Sequence, residues 1–142
     1  MSCPTRRELL KLLGAGAVVA CTGCGGPPQP SGDFAAGNVS ALSVGELKLV
    51  PSGSLIVGRD ANGVYAMTAI CTHAQCDMTM NGSVSAQGVF CTCHGSLFDA
   101  NGNVKQGPAR SPLQHFAVSV DASGNITVHG GQSVDASTRV SV

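Results

Sequence analysis

Cys71-Thr72-His73-Ala74-Gln75-Cys76 and Cys91-Thr92-Cys93-His94-Gly95-Ser96 are the two stretches on which the fold and chemistry of this chain turn. Each places a thiol and an imidazole within a few residues. Thiolate and imidazole are soft or borderline donors, the set that binds an iron–sulfur cluster or zinc. The spacing is Cys-x-His, then seventeen residues, then Cys-x-x-His. Two further cysteines, Cys76 and Cys93, sit one in each stretch. Spacing alone does not separate metal ligands from disulfide partners.

Outward from these stretches the chain reads as short strands and tight turns. Leu47–Val50, Ser54–Arg59 and Val64–Ile70 are strand-like, and Asp60-Ala61-Asn62-Gly63 is a hairpin turn. The first cysteine stretch follows Ile70 directly. Ser83–Phe90 has room for one or two short strands before Cys91. Asp99-Ala100-Asn101-Gly102 is another turn, and Gly107–Leu113 a proline-stiffened loop. Phe116–Val120 and Asn125–Val128 alternate like a closing hairpin. No helix-length period of 3.6 residues is present after the N-terminal segment. The prediction is a small antiparallel β sandwich or barrel with two ligand loops at one end. Rigid strands would then fix the donors of both loops.

The pattern CTHxxC with CxCHGS closely resembles the Rieske iron–sulfur family. The similarity runs over about 34–131 and includes Phe98-Asp99, Gly102, Gly107-Pro108-Ala109 and Pro112-Leu113. The resemblance implies one [2Fe–2S] cluster. Cys71 and Cys91 would bind one iron, His73 and His94 the other, and Cys76 and Cys93 would form a disulfide. Two ferric ions, two sulfides and two thiolates with neutral histidines sum to zero charge. A four-thiolate cluster starts at −2, so the mixed site accepts an electron more readily. Rieske potentials span roughly −150 to +300 mV, against roughly −400 mV for plant-type four-cysteine clusters.

The competing readings of the four donors are a structural Cys2His2 zinc site, which leaves Cys76 and Cys93 unexplained, and two structural disulfides, which leaves the histidines unexplained. The resemblance gives Ser96 a hydroxyl donated to a cluster sulfide. It places Phe98 where many high-potential relatives carry a tyrosine donor, which predicts a lower potential here. Pro108 would cover the cluster from the other side, or simply stiffen its loop. Ala74-Gln75 stands where quinol-oxidising relatives often have Leu-Gly, which weakens the apolar tip. His115 and His129 read as strand or surface histidines, and Met67, Met78 and Met80 as filler.

The N-terminus reads as an address. Arg6-Arg7 with Leu9-Leu10-Lys11 resembles a twin-arginine export signal, and Leu12–Ala20 is too short to span a bilayer. Val18-Val19-Ala20-Cys21 resembles a lipobox, with Cys24 as the rival acylation site and an uncleaved anchor as the other alternative. The expected organisation is a signal over 1–20, a Pro/Gly-rich tether over 21–33, a folded domain over 34–131 and a loose tail over 132–142. Removing residues 1–20 leaves five basic and seven acidic residues, a net charge near −2. No nucleic-acid footprint exists. The expectation is a lipid-anchored electron carrier on the periplasmic side of a bacterial membrane. Its redox partner would be a c-type cytochrome, or an oxidase or quinol-oxidising subunit. The alternative is a subunit of a quinol–cytochrome c reductase or of an exported oxidase complex such as arsenite oxidase. A soluble ferredoxin for a ring dioxygenase fits less well, because of the extra cysteine pair.

Overall fold

A computed structural model describes residues 30–142. The expected export signal, the expected lipobox with Cys21 and Cys24, and the expected tether up to residue 29 lie outside the described residues. Ten strands follow: β1 (Gly32–Asn38), β2 (Leu47–Val50), β3 (Leu55–Asp60), β4 (Gly63–Thr68), β5 (Gly82–Ser85), β6 (Gly88–Cys91), β7 (Leu97–Phe98), β8 (Val104–Gln106), β9 (His115–Val120) and β10 (Asn125–Val134). Two three-residue 3-10 turns, at Val39–Ala41 and Pro51–Gly53, are the only helical pieces among them. No described helix is long and apolar enough to cross a membrane.

The strands form two antiparallel sheets. One has six strands in the order β1-β10-β9-β4-β3-β2, the other four in the order β5-β6-β7-β8. The all-β prediction holds. Side chains alternate across a strand, so a strand buried on both faces feeds two cores. On β3, Leu55 and Val57 face one core and Ile56 the other; on β4, Val64 and Ala66 oppose Tyr65 and Met67. The first core, with Ala36, Phe116, Ile126 and Val128, fills the large sheet's own concavity. The second joins Ile56, Tyr65 and Met67 to Met78, Val89, Phe98 and Leu113, and Cys71 and Cys91 belong to it. The cysteines are thus set by the packing between the sheets. Burying each large aliphatic side chain there contributes about 2 kcal/mol.

The β3–β4 turn forms as predicted, with one difference. Only Gly63 takes a positive φ, while Asn62 N–H bonds the Asp60 carboxylate at 2.8 Å. A Cβ at Gly63 would collide with the Val140 carbonyl. That contact exposes a correction: the tail expected to be loose is docked. Ser133 and Val134 pair with Phe116 and His115, and Val140 exchanges two 2.9 Å bonds with Val64. The Arg139 guanidinium lies 3.9 Å over the Tyr65 ring and bonds Asp60 (2.6 Å) and Asn101 (2.7 Å). Small polar residues show no side-chain period, yet their backbone extends a sheet as well as any other. The tether boundary shifts for the same reason: Gly32 and Asp33, assigned to it, pair with Gly130 and His129 in β1.

His115 and His129 lie in strands, as read. His115 is buried, stacked on Tyr65 at 6.0 Å between ring centroids, with Nδ1 3.2 Å from the Leu113 carbonyl and Nε2 without a partner. Burial lowers its pKa. His129 bridges Asp33 (2.7 Å) and Ser119 (2.8 Å) on an exposed face, tying edge strand β1 to β10 and β9. Met67 and Met78 are core residues, whereas Met80 is 83% exposed.

Candidate metal centre

The two cysteine loops leave their sheets at corresponding points, after β4 and at the end of β6. Each closes on itself through the same backbone pair. In the first, Cys71 N–H bonds the Cys76 carbonyl (2.9 Å) and Gln75 N–H the Cys71 carbonyl (2.9 Å). In the second, Cys91 N–H bonds the Ser96 carbonyl (2.9 Å) and Gly95 N–H the Cys91 carbonyl (3.0 Å). The fifth residue of each loop is left-handed: Gln75 at φ 59° and Gly95 at φ 82°.

Within this frame Cys76 and Cys93 form a disulfide, which leaves Cys71 and Cys91 as the free, buried thiols among the described residues. The sulfurs of Cys76, Cys91 and Cys93 lie within 4.8 Å of one another. Two of them are bonded to each other, so that trio offers one free ligand, Cys91. Burial pushes the Cys91 thiol up; the Cys93 N–H works against this and the neighbouring Cys71 sulfur reinforces it. A bound metal reverses that balance by taking the thiolate. His73 and His94, one per loop, are exposed and stand edge to face with ring centroids 4.8 Å apart. The paired loops thus offer two buried sulfurs, one per loop, and two exposed imidazoles that stand edge to face.

Ser96 adds an observation about what fits between them. It is fully buried, and its Oγ accepts the Ala109 N–H at 3.0 Å. No group among the described residues accepts its proton. A buried hydroxyl proton without an acceptor is costly, and a sulfide beside Cys91 would supply one. The donor set and this free proton fit a [2Fe–2S] cluster.

The chain matches the family model described as "Rieske [2Fe-2S] domain" over residues 29–117. It belongs to the Rieske family. A Rieske domain binds one [2Fe–2S] cluster, and the thiol, imidazole and hydroxyl positions above fit it. Among known proteins, the chain is 39% identical over 93 residues to a cytochrome b6-f complex iron-sulfur subunit of Synechococcus sp. (strain WH7803), covering 61% of this chain and 51% of that one. A counterpart from Parasynechococcus marenigrum (strain WH8102) is 43% identical over 75 residues, 53% of this chain and 41% of its own. The chain thus spans about half the length of the curated relatives it matches. The cyanobacterial plasma membrane Rieske protein PetC3 from Synechocystis PCC 6803 superposes with a TM-score of 0.53 at 29% identity, covering 67% of this chain and 97% of that one. A chain from the complex of oxygenase and ferredoxin in carbazole 1,9a-dioxygenase shares the fold at a TM-score of 0.55 and 24% identity, covering 72% of this chain and 96% of that one.

Phe98 is fully buried in the core that holds the cysteines, a packing aromatic with no donor. Pro108 is exposed, while Ala109 beside it is buried. Three contacts went unread in the sequence. Thr72 Oγ1 donates to the Ser111 carbonyl at 2.6 Å, Thr92 Oγ1 to the Asn81 carbonyl at 2.9 Å, and Gln106 Nε2 to the Gly95 carbonyl at 3.1 Å. The repeated Cys-Thr pair was the available signal for the first two.

Proposed function

We propose that this chain carries single electrons through a [2Fe–2S] cluster, with Cys71 and Cys91 on one iron and His73 and His94 on the other. The cluster supplies the one-electron couple. Cys76–Cys93 holds the two loops together, and the chain keeps the sulfur side dry while presenting both imidazoles to solvent. The observation that carries the reading is that polarity: two buried thiols in the inter-sheet core and an adjacent pair of exposed histidines. Exposed imidazoles let an electron leave over a short path, and Ser96 favours the reduced, more negative state. Phe98 offers no hydroxyl to a cysteine ligand. The potential therefore sits below that of tyrosine-bearing relatives, and Phe98→Tyr raises it.

The chain is exported by a twin-arginine signal and held by a lipid on Cys21 at the periplasmic side of a membrane. It exchanges electrons there with a c-type cytochrome or a quinol-oxidising partner. Electron paramagnetic resonance of the reduced protein with a redox titration tests the centre. A mixed sulfur–nitrogen signal with a potential above the plant-type range is expected, and an all-sulfur signal overturns the ligand set. A second reading, the iron–sulfur subunit of a larger complex, is favoured by the relatives, which are named as subunits of the cytochrome b6-f complex. Co-purification with a cytochrome b decides for it; a lone, membrane-bound chain decides against.

A further inference from the structure

We propose that the backbone N–H of Ala109 is a positioning group for the Ser96 hydroxyl, and through it sets the ease with which the cluster is reduced. The inference rests on the cluster reading above and adds a part in the loop that faces the cysteine stretches. A serine hydroxyl has one proton and two lone pairs and rotates freely about its C–O bond. Here that rotation is settled. Ala109 N–H occupies the accepting side at 3.0 Å, in a place where both residues are buried. The Ser96 backbone is itself pinned, since its carbonyl accepts Cys91 N–H at 2.9 Å. The proton is left pointing away from Ala109.

The donor is anchored as well. Two residues beyond it the Ser111 carbonyl accepts Thr72 Oγ1 at 2.6 Å, and Leu113 N–H bonds the Gly102 carbonyl at 2.9 Å. The segment from Ala109 to Ser111 thus holds one bond to each cysteine loop. An accepted hydrogen bond polarises the hydroxyl and strengthens the one it donates, by roughly 10–30%. The donated bond is stronger to a more negative acceptor, so it favours the reduced cluster. Ala109 N–H then raises the potential without touching the cluster, and only through Ser96.

The test uses the full, cluster-loaded chain. Lactic acid in place of Ala109 turns its amide into an ester, which deletes the N–H and keeps the shape. The potential should fall, by less than it does in Ser96→Ala. In a Ser96→Ala background the ester should cause no further fall. Ala109→Pro removes the same N–H genetically, and Ala109→Gly, which keeps it, should leave the potential in place. An unchanged potential in the ester, an equal fall in both backgrounds, or a fall in Ala109→Gly as large as in the ester overturns the proposal. A wild-type chain without a cluster signal overturns the cluster reading itself, which is a different result. A readout independent of the cluster is deuterium exchange over residues 107–112. Orphaning this buried N–H by Ser96→Ala should speed exchange roughly tenfold or more; unchanged exchange counts against the bond.

Discussion

The two cysteine loops share one backbone frame and fill it with different chemistry. Counting from the first cysteine, the first loop has its histidine third and its disulfide cysteine sixth; the second has the disulfide cysteine third, the histidine fourth and Ser96 sixth. The frame comes from the two hydrogen bonds and the left-handed fifth residue that both loops have. Only the first position, Cys71 and Cys91, is common and buried. The disulfide therefore joins the third position of one loop to the sixth of the other, a diagonal clamp rather than a symmetric one. A similar fold of backbone has been given two non-equivalent roles by side chain alone.

The largest effect should come from the position the loops share. Cys71→Ser and Cys91→Ser should each abolish the cluster, read as loss of visible colour and of bound iron and sulfide, while the fold persists. A variant that kept its cluster would break the equivalence of the two first positions. The diagonal clamp comes next. The double variant Cys76→Ser/Cys93→Ser frees a loop closed over a sequence separation of 17 and should cost about 3 kcal/mol in denaturant unfolding. It should also leave the cluster short-lived in air. Cluster lifetime unaltered by the double variant would show that the hydrogen-bonded frames hold the loops unaided.

A smaller effect separates the loops by what stands behind them. Asp77, just past the first loop, accepts Ser54 Oγ at 2.6 Å and both the N–H (2.9 Å) and hydroxyl (2.6 Å) of Thr79. Burial alone would raise its carboxyl, but these hydrogen bonds outweigh burial and hold it below the ordinary range. A depressed folded-state pKa gives stability that is present above the unfolded value, about 3.9, and is lost as pH falls through the folded value. Acid should therefore loosen the first loop, and Asp77→Asn should cost about 1 kcal/mol at neutral pH while flattening that acid limb. A melting profile between pH 2 and 7 identical in both proteins would remove Asp77 from the account.

Much of this was legible in the sequence, for identifiable reasons. The strands of the two cores alternate or run apolar, so β2, β3, β4, β9 and the start of β10 show as side-chain patterns. The Cys76–Cys93 pairing was legible through the family motif rather than through spacing, because which cysteines meet depends on how two loops face each other. β1, β7 and β8 did not show: β1 is glycine- and alanine-rich, and β7 and β8 have two and three residues. The docked tail and the Ala109–Ser96 bond are made by backbone groups, which every residue carries and no side-chain pattern marks.

The finest distinction is at the fifth position. Gly95 meets the left-handed requirement freely, and a Cβ there would touch nothing within 4 Å. Gly95→Ala should therefore cost only the conformational penalty, about 1 kcal/mol, with no steric part. Gln75 already bears such a penalty at φ 59°. Gln75→Gly should release it, but glycine also loosens the unfolded chain, so the net gain should stay below about 1 kcal/mol. The two melting shifts should thus have opposite signs and unequal size. If Gln75→Gly instead destabilises the protein, the exposed glutamine side chain contributes to the tip, and the first loop carries a contact that the second does without.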